Sequence, residues 1–131
     1  MDYLTSGNAA LLVLVNTVAA KCYMSFGFRA KMLGKSEKAK IAFKESDDFK
    51  TAHSKQLNDA EYGPLFVATL LYLHTQGINN KLVSGAAAFG SVCYMWSHFF
   101  GKLSKVLGPV GATSRFIALF GVIYEVHKSL K

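Results

Sequence analysis

At 131 residues the chain is long enough for one compact domain and too short for two. It is 51% hydrophobic and only 18% charged, and its formal net charge of +7 is unevenly placed. Eight of the fifteen Lys and Arg residues (Arg29, Lys31, Lys35, Lys38, Lys40, Lys44, Lys50 and Lys55) fall in one polar stretch between long apolar runs. That is the pattern of the positive-inside rule, and no Arg-rich motif interleaved with exposed aromatics accompanies it. A soluble nucleic-acid-binding domain is therefore excluded, and membrane lipids are the first expected partner.

The first apolar segment runs from about residue 4 to 28. Its core Ala9-Ala10-Leu11-Leu12-Val13-Leu14-Val15 continues through Asn16 and Lys21 to Phe26, long enough for the roughly 20 residues of a spanning helix. Asp2 stands where a signal peptide would carry a basic residue, and Lys21 precedes Cys22 where a lipobox needs a small one. The segment is thus expected to be retained as a span. Lys21 either snorkels to the interface or faces the bundle interior. Cys22 and Cys93 form no Cys-x-x-Cys pair, so neither zinc nor redox chemistry is indicated, and both are expected to be small buried hydrophobes.

Residues 29–57 form the large charged loop, with Gly34 and Asp47-Asp48 as breakers and room for amphipathic helix. The second span covers about 58–76. Its helix begins earlier, carrying Ser54, Asn58 and Glu61 on one face at i, i+4 and i+7, and Pro64 predicts a bend close to Glu61. A tight turn, Gly77-Ile78-Asn79-Asn80-Lys81, leads to the third span at about 82–101. That span is rich in Gly85, Ala86, Ala87, Ala88, Gly90 and Ser91, residues that let helices approach closely in lipid. Its end carries Tyr94, Trp96, Phe99 and Phe100, as in an interfacial belt. Gly108, Pro109 and Gly111 read as a linker before a fourth span at about 113–130, capped by Thr113 or Ser114, with Arg115 in its first turn.

Four spans place both termini and the 77–81 turn on one side. Ten cations lie on the side of the large loop against three on the other (Lys81, Lys128 and Lys131), so the loop is expected to be cytoplasmic and the termini lumenal. His74 and His98 stand alone, so no metal site is expected.

The stretch Asn58-Asp59-Ala60-Glu61-Tyr62-Gly63-Pro64-Leu65-Phe66 resembles the second-helix signature of the MAPEG proteins, membrane-associated proteins in eicosanoid and glutathione metabolism. The signature is an Asn three residues before a Glu, then a Pro and an aromatic. The layout of four spans, charged first loop, tight second turn and Gly-Pro after span three agrees with it. The resemblance implies an all-α membrane protein, a left-handed bundle of four transmembrane helices assembling as a homotrimer in the endoplasmic reticulum or another organelle membrane. It implies a glutathione-transferase-like activity, with glutathione as co-substrate in a cleft between subunits and its thiolate attacking a lipophilic electrophile.

On that resemblance Asn58 and Glu61 hold the γ-glutamyl end, with Tyr62 beside them, and Arg29 holds a carboxylate. Tyr94, His98, Lys102 and Lys105 are further contributors on the cytoplasmic side. A structural reading competes, in which Glu61 and Asn58 join an interhelical network with Lys21 or Arg29. The family pattern carries an Arg where this chain has Ser54, and its third-span tyrosines and following Arg correspond to Met95, Phe99 and Val106. His53 and Lys55 flank Ser54 but point about 100° to either side, and a one-residue shift would recruit Tyr94 or His98. These departures sustain an alternative function, a non-catalytic lipid-binding or structural subunit of a larger membrane complex.

Overall fold

The computed structural model describes residues 3–131, and all of the regular structure among them is helical. The first helix, α1 (Ser6–Met32), is α-helical over Ser6–Cys22, π-helical over Tyr23–Gly27 and α-helical again over Phe28–Met32. A short α2 (Glu37–Glu45) and a long α3 (Asp47–Thr75) follow, then α4 (Lys81–Trp96), a 3-10 stretch (Ser97–Leu103) and α5 (Ser104–Ser129). By length and composition Ser6–Met32 and Lys81–Ser129 are apolar enough to cross a membrane.

The loop expected over 29–57 is therefore largely helix. Gly34, at a φ of 73° that side chains disfavour, makes the turn after α1. Ser36 caps α2 by accepting from the Ala39 amide, and Ser46 caps α3 by accepting from the Phe49 amide. Asp47 and Asp48, expected as breakers, instead occupy the first turn of α3, where carboxylates favour the positive end of the helix dipole. The helix then runs unbroken through Pro64. Similarly, α5 starts nine residues before the expected span (113 less 104) and contains Gly108, Pro109 and Gly111. Thr113 and Ser114 do not cap it, and Arg115 sits well inside it.

The apolar core collects Ala9, Ala10 and Val13 of α1, Phe66, Leu70 and Leu73 of α3, Ala87 and Ala88 of α4, and Ala118 and Val122 of α5. With Val83 of α4 in the same cluster, each helix repeats buried residues at a spacing of three or four, which marks one buried face per helix. At one end the chain is latched by polar contacts. Ser6 donates its amide to Asn79 Oδ1 (3.0 Å) and its hydroxyl to the Ile78 carbonyl (2.6 Å). Asn80 caps α4 and donates to Glu125 Oε1 at 2.7 Å. The start of α1, the 77–81 turn and the end of α5 thus lie together. At the other end Phe28, Phe43 and Phe49 form a ring cluster with centroids 5.1–5.7 Å apart, holding α2 between the ends of α1 and α3.

Between α4 and α5 the backbones nearly touch. A Cβ on Gly111 would stand 2.5 Å from the Tyr94 amide nitrogen, and one on Gly90 would stand 2.8 Å from the Arg115 amide nitrogen. Each glycine lies four residues before one of these two side chains on its own helix, and against the backbone of the other on the facing helix. The small residues therefore fix the relative height of Tyr94 and Arg115.

Candidate functional site: a buried arginine between two tyrosines

The α4–α5 crossing turns Arg115 toward α3. Only 5% of it is exposed. Its Nη1 donates to Asn58 Oδ1 at 2.8 Å and its Nη2 to the Asn58 carbonyl at 3.3 Å. Its guanidinium carbon lies 4.6 Å from the Tyr62 ring centroid and 4.7 Å from that of Tyr94, a cation–π arrangement with both. Among the described residues the ion pair within 4 Å is Lys40 with Glu37, far along the chain. Arg115 is thus a buried cation stabilised by an amide, a carbonyl and two ring faces, without a carboxylate at salt-bridge distance. Asn58, Tyr62, Tyr94, Ala112, Arg115 and Phe116 enclose a cavity of about 160 Å³ beside it.

Lys55 approaches the same tyrosine. Its ammonium donates to the Tyr94 carbonyl (2.9 Å) and the Ser97 hydroxyl (2.8 Å), and lies 4.5 Å from the Tyr94 centroid. Reaching the C-terminal turn of α4, it satisfies a carbonyl there and complements the helix dipole. The helical projection from Ser54 points Lys55 aside, but the four-carbon stem covers the distance while Ser54 itself stays exposed.

Behind Asn58, on the next residue of α3, Asp59 is completely buried. It accepts from Asn16 Nδ2 at 3.2 Å, and Trp96 Nε1 donates to Asn16 Oδ1 at 2.7 Å. This polar pin ties α1 and α4 to the site-bearing turn of α3. An apolar groove of about 400 Å³ begins at Tyr62, which lines it as well as the arginine cavity, and runs between α3 and α5 past Leu65, Thr69, Leu119 and Ile123 to Leu130. The Thr69 hydroxyl donates back to the Leu65 carbonyl, leaving the groove wall dry.

Of the residues singled out in the sequence, the structure gathers Asn58, Tyr62 and Tyr94. Tyr94 lines the arginine cavity, whereas Met95 is fully buried and Phe99 joins Tyr23 and Trp96 in an aromatic cluster. Glu61 is exposed, with no hydrogen bond or ion pair among the described residues, so the network expected with Lys21 or Arg29 does not form within the chain. Arg29 is exposed at the far end of α1 and lines a different cavity. His98 Nδ1 donates to the Met95 carbonyl at 3.1 Å and the ring packs on Phe99, outside the arginine cavity. Lys102 and Lys105 are exposed and also outside it. Cys22 is exposed rather than buried, and Cys93 half-buried.

The central residue, Arg115, is placed by the sequence only in the first turn of the fourth span. Its signal was a guanidinium within a run of apolar residues, which ordinarily marks a functional position. The Gly-Pro-x-Gly stretch hid it by imitating a linker.

An all-helical bundle with two helices long and apolar enough to cross a membrane is the pattern of a helical membrane protein. The model of the MAPEG family matches residues 5–125, and the chain belongs to that family. No curated protein and no solved structure matches it.

Proposed function

We propose that this protein binds glutathione and directs its thiolate onto a lipophilic electrophile. The observation that carries the reading is Arg115, a buried cation with no carboxylate partner at salt-bridge distance, facing a cavity walled by two tyrosines. A cavity of about 160 Å³ is smaller than the roughly 300–1,000 Å³ of ordinary ligand pockets. It fits one anionic group rather than a tripeptide. The residues present suit a thiolate: a guanidinium in a water-poor site stabilises the ionised sulfur and draws its pKa down. Tyr62 and Tyr94 line the same cavity.

The remainder of the peptide then extends past Asn58 toward Glu61, whose free carboxylate matches the γ-glutamyl ammonium. Arg29 has no place near this cluster in its own chain, so its role on a glycine carboxylate requires a neighbouring copy, consistent with a site between subunits of a homotrimer. In the reaction the thiol proton passes to water and the sulfur lone pair forms the carbon–sulfur bond. The displaced electron pair leaves on the electrophile's leaving group. The groove from Tyr62 to Leu130 receives the electrophile's hydrocarbon part.

A second reading, a non-catalytic lipid-binding or structural subunit, is favoured by one feature. Two of the five Arg115 N–H donors bond Asn58, and an arginine held in this way also serves simply to join α3 to α5.

Calorimetry of glutathione with detergent-purified protein separates the two. Saturable binding is expected, lost in Arg115→Gln and weakened about tenfold in Glu61→Gln, a charge-assisted hydrogen bond contributing about 1.5–3 kcal/mol. No binding in a folded, oligomeric sample overturns the enzymatic reading.

A further inference from the structure

The polar segment after the first helix has a second chemistry, which shares Arg29 with the glutathione reading but rests on different observations. At roughly 1.5 Å per residue, the 27 residues of α1 extend about 40 Å. That exceeds a hydrocarbon core of about 30 Å and approaches the roughly 40–45 Å of a bilayer with its head groups. The last turn of α1 therefore emerges at head-group depth. There Gly34 reverses the chain, and the Phe28–Phe43–Phe49 cluster pins α2 back against the bundle. The hairpin so formed encloses an open bowl of about 420 Å³ on the side away from that cluster.

The bowl is chemically divided. Arg29, Lys40 and Lys44 supply three cations, and Glu37, held by Lys40 at 2.8 Å, is the one acid in the lining. Arg29 and Lys44 have no hydrogen-bond or ion-pair partner among the described residues. Leu33 and Ile41 lie beside them, 83% and 58% exposed. The exposed cations are hydrated in water, whereas at head-group depth they can pair with an anion while the bare aliphatic side chains gain apolar cover. Both are satisfied at once by a molecule with a phosphate and an acyl chain.

We propose that the α1–α2 hairpin is a binding site for one anionic glycerophospholipid, its phosphate between Arg29, Lys40 and Lys44 and its upper acyl carbons against Leu33 and Ile41. Charge complementarity selects the occupant. A zwitterionic lipid leaves the excess positive charge of the bowl uncompensated, and free phosphate leaves the aliphatic side chains exposed. The site differs from a diffuse attraction of basic loops to anionic leaflets, because Lys35 and Lys38, carried by the same hairpin, do not line the bowl.

The test is native mass spectrometry of the full chain in non-ionic detergent, titrated with short-chain phosphatidylglycerol or, separately, short-chain phosphatidylcholine. One phosphatidylglycerol per chain is expected to be retained in preference to phosphatidylcholine. Lys40→Gln/Lys44→Gln should lower its affinity about tenfold or more, and Lys35→Gln/Lys38→Gln, removing equal charge, should change it less than threefold. Leu33→Ser/Ile41→Ser should weaken the lipid while leaving the charges in place. Equal retention of both lipids, equal loss in the two lysine variants, or displacement by inorganic phosphate at the lipid's own concentration would each overturn the proposal. The folded state of every variant is checked by its circular dichroism and oligomer profile, and the single substitution Lys44→Gln replaces any double variant that fails to fold.

Discussion

Helix α5 has two unlike flanks. Toward α4 it lies so close that Gly90 and Gly111 leave no room for a methyl group against the facing backbone, and Gly121 packs on the Val83 side chain. Toward α3 it stands off, leaving the arginine cavity and the groove below it. Without a hydrophobic force between helices in lipid, close backbone approach is what holds a pair together. Wider separation is what admits a ligand. The seam therefore acts as the rigid wall and the cleft as the working space, with Arg115 passing from one to the other.

Substitutions can test how separate these flanks are. The largest effect is expected from Gly111→Val, whose side chain must enter the Tyr94 backbone. Overpacking of this kind costs about 3 kcal/mol, read as a large fall in the detergent melting temperature, and it should displace Tyr94 from the cavity. Near-normal stability would mean the seam is softer than its geometry.

Next comes Arg115→Lys, which preserves charge but replaces the fork that holds both Asn58 contacts with a single ammonium. Glutathione affinity should fall about tenfold or more with stability affected much less, since lysine does not reproduce a bidentate and stacked guanidinium. Retained affinity would show that charge alone operates in the cavity.

A smaller change is expected for Leu119→Phe, which adds volume to the open groove. Its stability should stay within about 1.5 kcal/mol of the parent, the range of tolerated apolar exchange. Uptake of a lipophilic substrate, followed by its apparent KM, should weaken. A stability loss comparable to that of Gly111→Val would erase the distinction between the flanks.

The smallest effect concerns neither flank. The Lys40 hydrogen bond, followed by the charges of Lys40 and Lys44, holds the Glu37 carboxyl below its ordinary value of 4.5. A depressed carboxylate stabilises the folded hairpin above the ordinary value and loses that contribution as pH falls through the folded one. Acidification below pH 4.5 should thus loosen α2 slightly, as lower amide protection over 37–45 after correction for the intrinsic exchange rate, and Glu37→Gln should abolish this dependence.

How much of this could be read beforehand differs by region. The 77–81 turn was legible because Gly77 and Asn80 carry their conformational meaning in one residue each, and α4 because its small residues cluster. Asn58 and Tyr62 were legible from the motif. Arg115 was not, because Pro109 and its glycines look the same in a linker as in a helix whose neighbour demands small residues. Lys55 was missed for a different reason: a projection of helical angle fixes where Cβ points, not where a long side chain ends. The helical start of α3 was hidden by Asp47 and Asp48, acids that serve equally as solvated loop and as a first helical turn.

The π-helical stretch Tyr23–Gly27 acts as a phase corrector for α1. Ala20 and Phe28 are both buried although eight residues apart, a separation that advances an ideal helix about 80° beyond two full turns. The wider π turn absorbs roughly one residue of that advance, bringing Phe28 back beneath Ala20 and rotating Arg29 outward. Removing a single residue there would leave composition and length almost untouched, yet rotate the rod's final turn relative to everything before it. The direction in which Arg29 faces is therefore set by a miscount in the winding, several residues upstream of the arginine itself.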